Sequence, residues 1–254
     1  MTEWTMDRWK YFDITHRFHV VCNPTSLAKI EELIGLFRLK PGSSVLDIAC
    51  GKAEMLVRLA EAYDIRGVGV DLSPYAVRDA EELKRRRVPD SDLEFVTANG
   101  ADFHAENTNN FDLAMCIGAS WIWDGHRGTL KAMMDMTKPG GIVAVGEPFF
   151  TQEPSEEYLV AEDFSRDDFS THYGNIQIAE EEGFAPLYTM VSNQDDWDRY
   201  ETLQWMAVDE FAQNNPDDPD LTEIKTRNAE SREIYLKWGR DGFNWAIYLF
   251  RKPA

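Results

Sequence analysis

SVLDIACGKAE, residues 44–54, is the stretch that decides the fold. It opens as a short apolar run, passes through a bend of small residues at Ala49, Cys50 and Gly51, and enters an amphipathic stretch running from Ala53 to Tyr63. A buried strand, a tight bend and a helix in that order form the first half of a βαβ unit, and the run RGVGVD, ending at Asp71, supplies the second strand.

Working outward, three more apolar runs follow: LEFVTA, FDLAMCIGA and GIVAVGE. Between the runs the spacing predicts helices over Ala53–Tyr63, Pro74–Arg87 and Gly125–Thr137, with a poorly marked connection near His104–Asn110. Ser73 before Pro74 is a helix-start signal, and Lys84 to Arg87 place cations at the carbonyl end of the same helix. Upstream, Pro24–Phe37 reads as a helix entered through Asn23, with Leu27, Ile30, Leu33, Ile34 and Phe37 on one face. Downstream come a helical stretch Asp167–Gly183, a sixth strand Phe184–Val191, two long helical stretches Asp195–Asn214 and Asp220–Arg240, and a last strand FNWAIYLFRK. The expectation is one α/β domain over residues 1–254: a Rossmann-like, seven-stranded, mostly parallel sheet with helices on both faces and a helical insert, 195–240, before the last strand. Residues 24–151 form the cofactor-binding core, and the aromatic- and His-rich residues 1–23 are expected to act as a lid.

A parallel sheet binds ligands beyond the carboxyl ends of its strands, where strand order reverses. The bend after the first strand brings backbone close to a ligand there, and Asp71, about twenty residues on, can accept hydrogen bonds from both hydroxyls of a ribose. The pair points to an adenosine-containing cofactor. The bend reads D-x-A-x-G-x-A rather than G-x-G-x-x-G, and Asp47 at its entrance suits a cationic group where a pyrophosphate would be repelled. S-adenosyl-L-methionine (SAM) is therefore favoured over a nicotinamide dinucleotide.

From Ser44 to Glu147 the chain resembles the class I SAM-dependent methyltransferases, through VLDIACGKAE, GVGVDLS, NGADF, FDLAMCIGAS and TKPGGIVAVGEP in that order. A fuller likeness, to a little-characterised bacterial branch of that family, runs through HRFHVVCNP, GASWIW, GEPFF and NQDDWDRYE. The resemblance implies that Asp47, Ala49, Cys50, Gly51 and Ala53 line the methionine side of SAM and that Asp71 and Leu72 hold the ribose and adenine edge. It further implies that Asn99, Gly100 and Ala101 lie beside the adenine and that Ile117, Gly118 and Ala119 lie beneath the sulfonium, with S-adenosyl-L-homocysteine (SAH) as product. The chain departs from the family's G-x-G-x-G at both alanines, and Asn99 stands where an Asp is common.

Methyl transfer needs an in-line nucleophile and exclusion of water, so aromatic segments near the cleft are candidate acceptor walls. Trp121 and Trp123 either enclose the acceptor or cap the core, and Trp197 either lines the acceptor or packs its helix. Tyr11 either covers the cofactor carboxylate or packs inside. Glu147, closing the fifth strand, either orients the acceptor and takes its proton or hydrogen-bonds a neighbouring loop, and His16 and His19 are either bases or structural histidines.

Forty-five acidic against 26 basic side chains give a net charge of -19, which repels a nucleic-acid backbone. No run is long and apolar enough to span a bilayer, the start lacks a signal-peptide pattern, and Cys22, Cys50 and Cys116 form no metal or disulfide framework. A cytoplasmic protein acting on a small-molecule acceptor, with no metal, is expected; the oligomeric state is left open. Two other functions compete: a SAM-binding protein of the same fold without catalysis, and a nicotinamide-dependent oxidoreductase, which lacks its glycine fingerprint here.

Overall fold

The computed structural model describes residues 4–106 and 108–254. Seven strands, β1 (Ser44–Ile48), β2 (Arg66–Asp71), β3 (Asp92–Thr97), β4 (Phe111–Ile117), β5 (Thr137–Phe150), β6 (Ala185–Val191) and β7 (Phe243–Arg251), form one sheet in the order β3-β2-β1-β4-β5-β7-β6. The β1–β2, β2–β3, β1–β4 and β4–β5 pairs are parallel, and only β7 runs against its neighbours β5 and β6. The seven-stranded, mostly parallel sheet expected from the apolar runs is therefore present. Strand order reverses between β1 and β4, so the loops leaving these two strands flank the crevice.

Alternation along the strands divides the interior into two layers. Val45, Leu113, Met115, Ala144, Ile247 and Leu249 face one way, onto α2 (Leu27–Phe37), α3 (Glu54–Tyr63) and α4 (Pro74–Arg87). Leu46, Ile48, Ala114, Cys116, Val143, Val145, Tyr248 and Phe250 face the other way, onto α6 (His126–Met136) and α8 (His172–Glu181). The basic end of α4 does more than complement the helix dipole: Arg87 bonds Glu54 and Glu61, tying α4 to α3.

Several boundaries differ from the sequence expectation. Ser26, not Asn23, caps α2 by accepting from the Lys29 N–H, so the helix starts at Leu27, which is 39% exposed while Ile30, Leu33, Ile34 and Phe37 are buried. Helix α5 (Gly100–Glu106) lies upstream of the expected connection because Asn99 starts it, its side-chain oxygen accepting from the Ala101 N–H. Helix α8 begins only after Thr171, whose hydroxyl accepts from the Gly174 N–H. A short helix, α7 (Glu156–Glu162), was not legible as such; Ser155 caps it, and its Tyr158 packs in an aromatic cluster with Phe150, Phe164 and Phe243.

The expected insert is α9 (Gln194–Asn214) and α10 (Leu221–Ile234), continued by a π-helical turn at Tyr235–Gly239. Asn193 and Asp196 form a capping box at the start of α9. The amino-terminal segment, apart from residues 1–3, which lie outside the described residues, contains α1 (Arg8–Thr15), capped by Asp7. Its Met6, Tyr11 and Ile14 are buried against Val208 of α9 and Ile224 of α10, so this segment and the insert share a small core of their own. Among the described residues no helix is long and apolar enough to cross a membrane.

Candidate functional site

Beyond β1 the chain makes a bend in which every second residue is left-handed: Ala49 at φ 58°, Gly51 at 53° and Ala53 at 61°. Glycine adopts this region freely, whereas an alanine there costs about 1 kcal/mol or more, so the bend holds strain at two of its three turning points. What holds it is visible. The Cys50 N–H donates to the Val70 carbonyl at 3.1 Å, the Ala53 N–H to the Cys50 carbonyl at 2.9 Å, and the Gly51 N–H to Asp71 Oδ2 at 2.9 Å. Asp71 Oδ1 accepts from the Ser73 N–H at 2.8 Å, so two backbone amides fix the carboxylate at the tip of β2. Burial nevertheless raises its pKa.

Asp47 is 3% exposed on the layer facing α3, and burial followed by the proximity of Asp71 pushes its carboxyl up to about 8. Among the described residues no side chain or amide hydrogen-bonds it. Two carboxyls raised together beside a strained, amide-rich bend form a place that a cation would relieve.

The remaining cofactor candidates line the same rim. Leu72 is exposed at the mouth. Gly100 starts α5 so close to β1 that an added Cβ would lie 2.4 Å from Ile48 Cγ2, and Ala101 donates its N–H to Asn99. Gly118, at φ 93°, donates its N–H to the Gly146 carbonyl and packs against the Trp245 ring; Ile117 is half-buried before it and Ala119 buried after it. Asp47, Ala49, Cys50, Gly51, Asp71, Leu72, Asn99, Gly100, Ala101, Ile117, Gly118 and Ala119 thus all lie at the carboxyl ends of β1 to β4. A separate cleft of about 570 Å³, lined by Lys40, Lys138 and Arg251 among others, opens at the opposite end of the sheet and touches none of them.

The amino-terminal segment covers the bend through a residue that the spacing argument passed over. Lys52 Nζ donates to the His16 carbonyl at 2.8 Å and the His19 carbonyl at 3.3 Å, strapping that segment to the bend. His16 is buried and uses both ring nitrogens, Nε2 with the Tyr200 hydroxyl at 2.9 Å and Nδ1 with Thr15 Oγ1 at 2.9 Å. Burial and then His19 push its pKa down to about 3. The base role expected for His16 therefore has no free nitrogen behind it, and the residue acts instead as a pin between α1 and α9. His19 Nε2 meets the Tyr200 carbonyl at 2.9 Å, and its Nδ1 is buried without a partner. Tyr11 is buried in the small core between α1, α9 and α10, the packing alternative.

Glu147 differs from the expectation of an accessible acceptor base. It is 1% exposed and lies on the α6 layer, with its Oε2 4.0 Å from His126 Nδ1. Neither oxygen completes a hydrogen bond, nor does His126 Nδ1, while His126 Nε2 meets the Asn175 carbonyl at 3.1 Å. Burial pushes Glu147 up to about 8, offset in part by the nearby Ser120 hydroxyl, and pushes His126 down to about 4. A neutral acid and a neutral imidazole thus face one another beneath the turn Ser120–Trp123. On that turn Trp121 is 72% exposed, whereas Trp123 packs on the core.

Trp197 donates its Nε1–H to Asn244 at 2.9 Å and packs against Tyr200, Tyr235 and Phe243. Sequence spacing singled out Trp197 but not the residues one and two turns further along α9, Glu201 and Trp205, which share its face.

Residues 45–141 match the family model described as a methyltransferase domain. The uncharacterised protein YjhP of Escherichia coli K12 is 29% identical over 96% of this chain and 98% of its own length, and its crystal structure superposes with a TM-score of 0.88. A SAM-dependent methyltransferase from Geobacter sulfurreducens, crystallised with SAH, is 27% identical with a TM-score of 0.89 over 96% of this chain and 98% of its own. Another from Thiobacillus denitrificans, also crystallised with SAH, is 28% identical with a TM-score of 0.87 over 97% of this chain and 99% of its own. The bend after β1, the carboxylate closing β2 and likeness to these proteins over nearly the whole chain converge: residues 45–141 carry a methyltransferase domain, and the chain is similar throughout to SAM-dependent methyltransferases crystallised with SAH.

Proposed function

We propose that the protein transfers the methyl group of SAM to a small-molecule acceptor by direct in-line displacement. The observation that carries this reading is the pair formed by the strained bend at Ala49–Ala53 and the amide-held Asp71, with unpartnered Asp47 beside them. SAM supplies an electrophilic methyl on a cationic sulfur, and its ammonium and sulfonium are the counter-charges that Asp47 and Asp71 lack. In this reading Asp71 orients the ribose, since each oxygen accepts only one bond from the chain and keeps a lone pair for a hydroxyl. Asn99, Gly100 and Ala101 edge the adenine, and Leu72 covers it. Ile117, Gly118 and Ala119 floor the sulfonium, the positive φ of Gly118 letting the main chain turn beneath it.

The chain's own contribution to rate is then positioning and water exclusion. Lys52 holds the amino-terminal segment over the bend, and the Tyr200–His16 contact ties that segment to α9. The acidic surface and the aromatic interior of the insert favour a small acceptor over a nucleic acid. Isothermal titration with SAM and SAH tests the cofactor reading, with micromolar binding expected and absence of binding at millimolar ligand overturning it. SAH formation with a metabolite panel tests transfer itself.

A further inference from the structure

Helix α9 carries Trp197, Glu201 and Trp205 at intervals of four, which places them in one row along the helix. The two indoles face the same ring: Trp197 is 6.3 Å and Trp205 6.5 Å from Tyr235. Glu201 is therefore held between them on an aromatic face. The phenols of Tyr11 on α1, Tyr158 on α7, Tyr200 on α9 and Tyr235 all feel its charge, and Glu162 on α7 is a second carboxylate close enough to repel it.

The other inward or flanking acids of α9 have partners. Asp196 binds Lys29, Asp198 binds Arg240 through two hydrogen bonds and accepts from the Tyr235 hydroxyl, and Glu210 pairs with Arg17. Glu201 has no hydrogen bond or ion pair among the described residues, and burial pushes its carboxyl up to about 8. Trp205 Nε1 is likewise buried without a partner. Arg232 already lies 5.9 Å over the Trp205 ring, so this face meets one cation within the fold; a half-buried carboxylate beside such rings, with no partner of its own, is the combination that recognises an organic cation. Its place also fits an acceptor. The neighbouring Tyr200 hydroxyl bonds His16, whose carbonyl is strapped by Lys52 to the cofactor bend, so this wall begins where the proposed methyl donor would end.

We propose that the acceptor is an amine, bound with its nitrogen against Glu201 between Trp197, Trp205 and Tyr235. This rests on the cofactor reading above. The acceptor enters as an ammonium and gives one N–H proton to water, freeing its lone pair while Glu201 stays a carboxylate. That pair forms the new N–C bond as the methyl–sulfur bond breaks with its electrons left on sulfur, so the positive charge passes from sulfur to nitrogen. Glu201 stabilises the charge as it arrives.

The test uses the full-length protein saturated with SAH, with 2-phenylethylamine and its neutral analogue 2-phenylethanol as probes, read by tryptophan fluorescence and titration calorimetry. The amine is expected to bind roughly 10-fold or more tighter than the alcohol. Glu201→Gln is expected to abolish that preference and Glu201→Asp to retain part of it, with SAH affinity unchanged in both. Equal binding of the two probes, or a preference that survives in Glu201→Gln, overturns the proposal. SAH affinity is measured separately, so a failure of SAH to bind is seen as loss of the cofactor reading, and it takes this proposal with it. With SAM in place of SAH, turnover of amines and not of phenols or thiols is the matching result, and turnover confined to neutral acceptors overturns it.

Discussion

Asp71 at the tip of β2 and Glu201 in the middle of α9 are both half-buried carboxylates, on the two sides of the proposed site, and they are treated differently. Asp71 receives two main-chain N–H groups and so is oriented before any ligand arrives. Glu201 receives no hydrogen bond among the described residues and lies half-buried on α9, one turn from each of two indoles that pack on Tyr235. One side of the proposed site is built from backbone, whose hydrogen bonds follow from strand register and a tight bend. The other is built from side chains brought together by helices distant in sequence. The backbone side is suited to a ligand part shared across a family, and the side-chain side to a part that differs between members.

The largest effect is expected at the backbone side. Asp71→Ala removes the acceptor for two proposed ribose hydroxyls as well as the anchor of the Gly51 amide, so SAM affinity is expected to fall by roughly 1,000-fold by calorimetry. A loss below about 3-fold would break the contrast between the two sides.

Next comes Glu147, a third buried carboxyl, belonging to neither side. Its folded form keeps its proton up to about 8, while the unfolded form releases it near the ordinary 4.5. Stability contributed by this group is thus full below 4.5 and declines as pH rises towards 8, at about 1.4 kcal/mol per pH unit. Glu147→Gln is expected to flatten that part of the urea-denaturation profile between pH 5 and 8, leaving the slope due to Asp47 and Glu201, whose carboxyls are also raised to about 8. Identical slopes in the two proteins would show that Glu147 is ionised and paired in the fold.

A smaller effect is expected at the strap. Lys52→Met keeps most of the aliphatic stem but removes the bonds to the His16 and His19 carbonyls. Amide hydrogen exchange over residues 8–20 should accelerate roughly 10-fold, while the strands of the sheet keep their protection. Unchanged exchange would mean that packing against α9 alone holds the segment.

The smallest is at Ala49, at φ 58°. Ala49→Gly removes left-handed strain but adds backbone entropy to the unfolded chain, for a net gain of at most about 1 kcal/mol in chemical denaturation. A loss of stability would mean that the Ala49 methyl packs usefully in the bend.

Much of the backbone side was legible in the residues themselves. Apolar runs of strand length, a bend of small residues and an acid about twenty positions later are local patterns, and they mark β1, β2 and the crevice between β1 and β4. The readings that did not hold concern side-chain surroundings. His16 and Glu147 look like candidate bases in a linear reading, but Tyr200, Thr15 and the α6 layer, none of which their spacing announces, close them off. The start of α2 moved from Pro24 to Leu27 because Ser26 competes with Asn23 as cap, and Tyr11 went into a core that exists only because α1 meets α9 and α10.

The amino-acid sequence by itself determined the strand count, the direction of the first five strands and the bend that marks the cofactor end, because hydrophobic period and turn chemistry act over a few residues. Only the tertiary structure decided which titratable groups are sealed, which are pinned and which have no partner among the described residues. Burial and hydrogen bonding of a side chain are set by elements far away in the chain, and no local pattern encodes them.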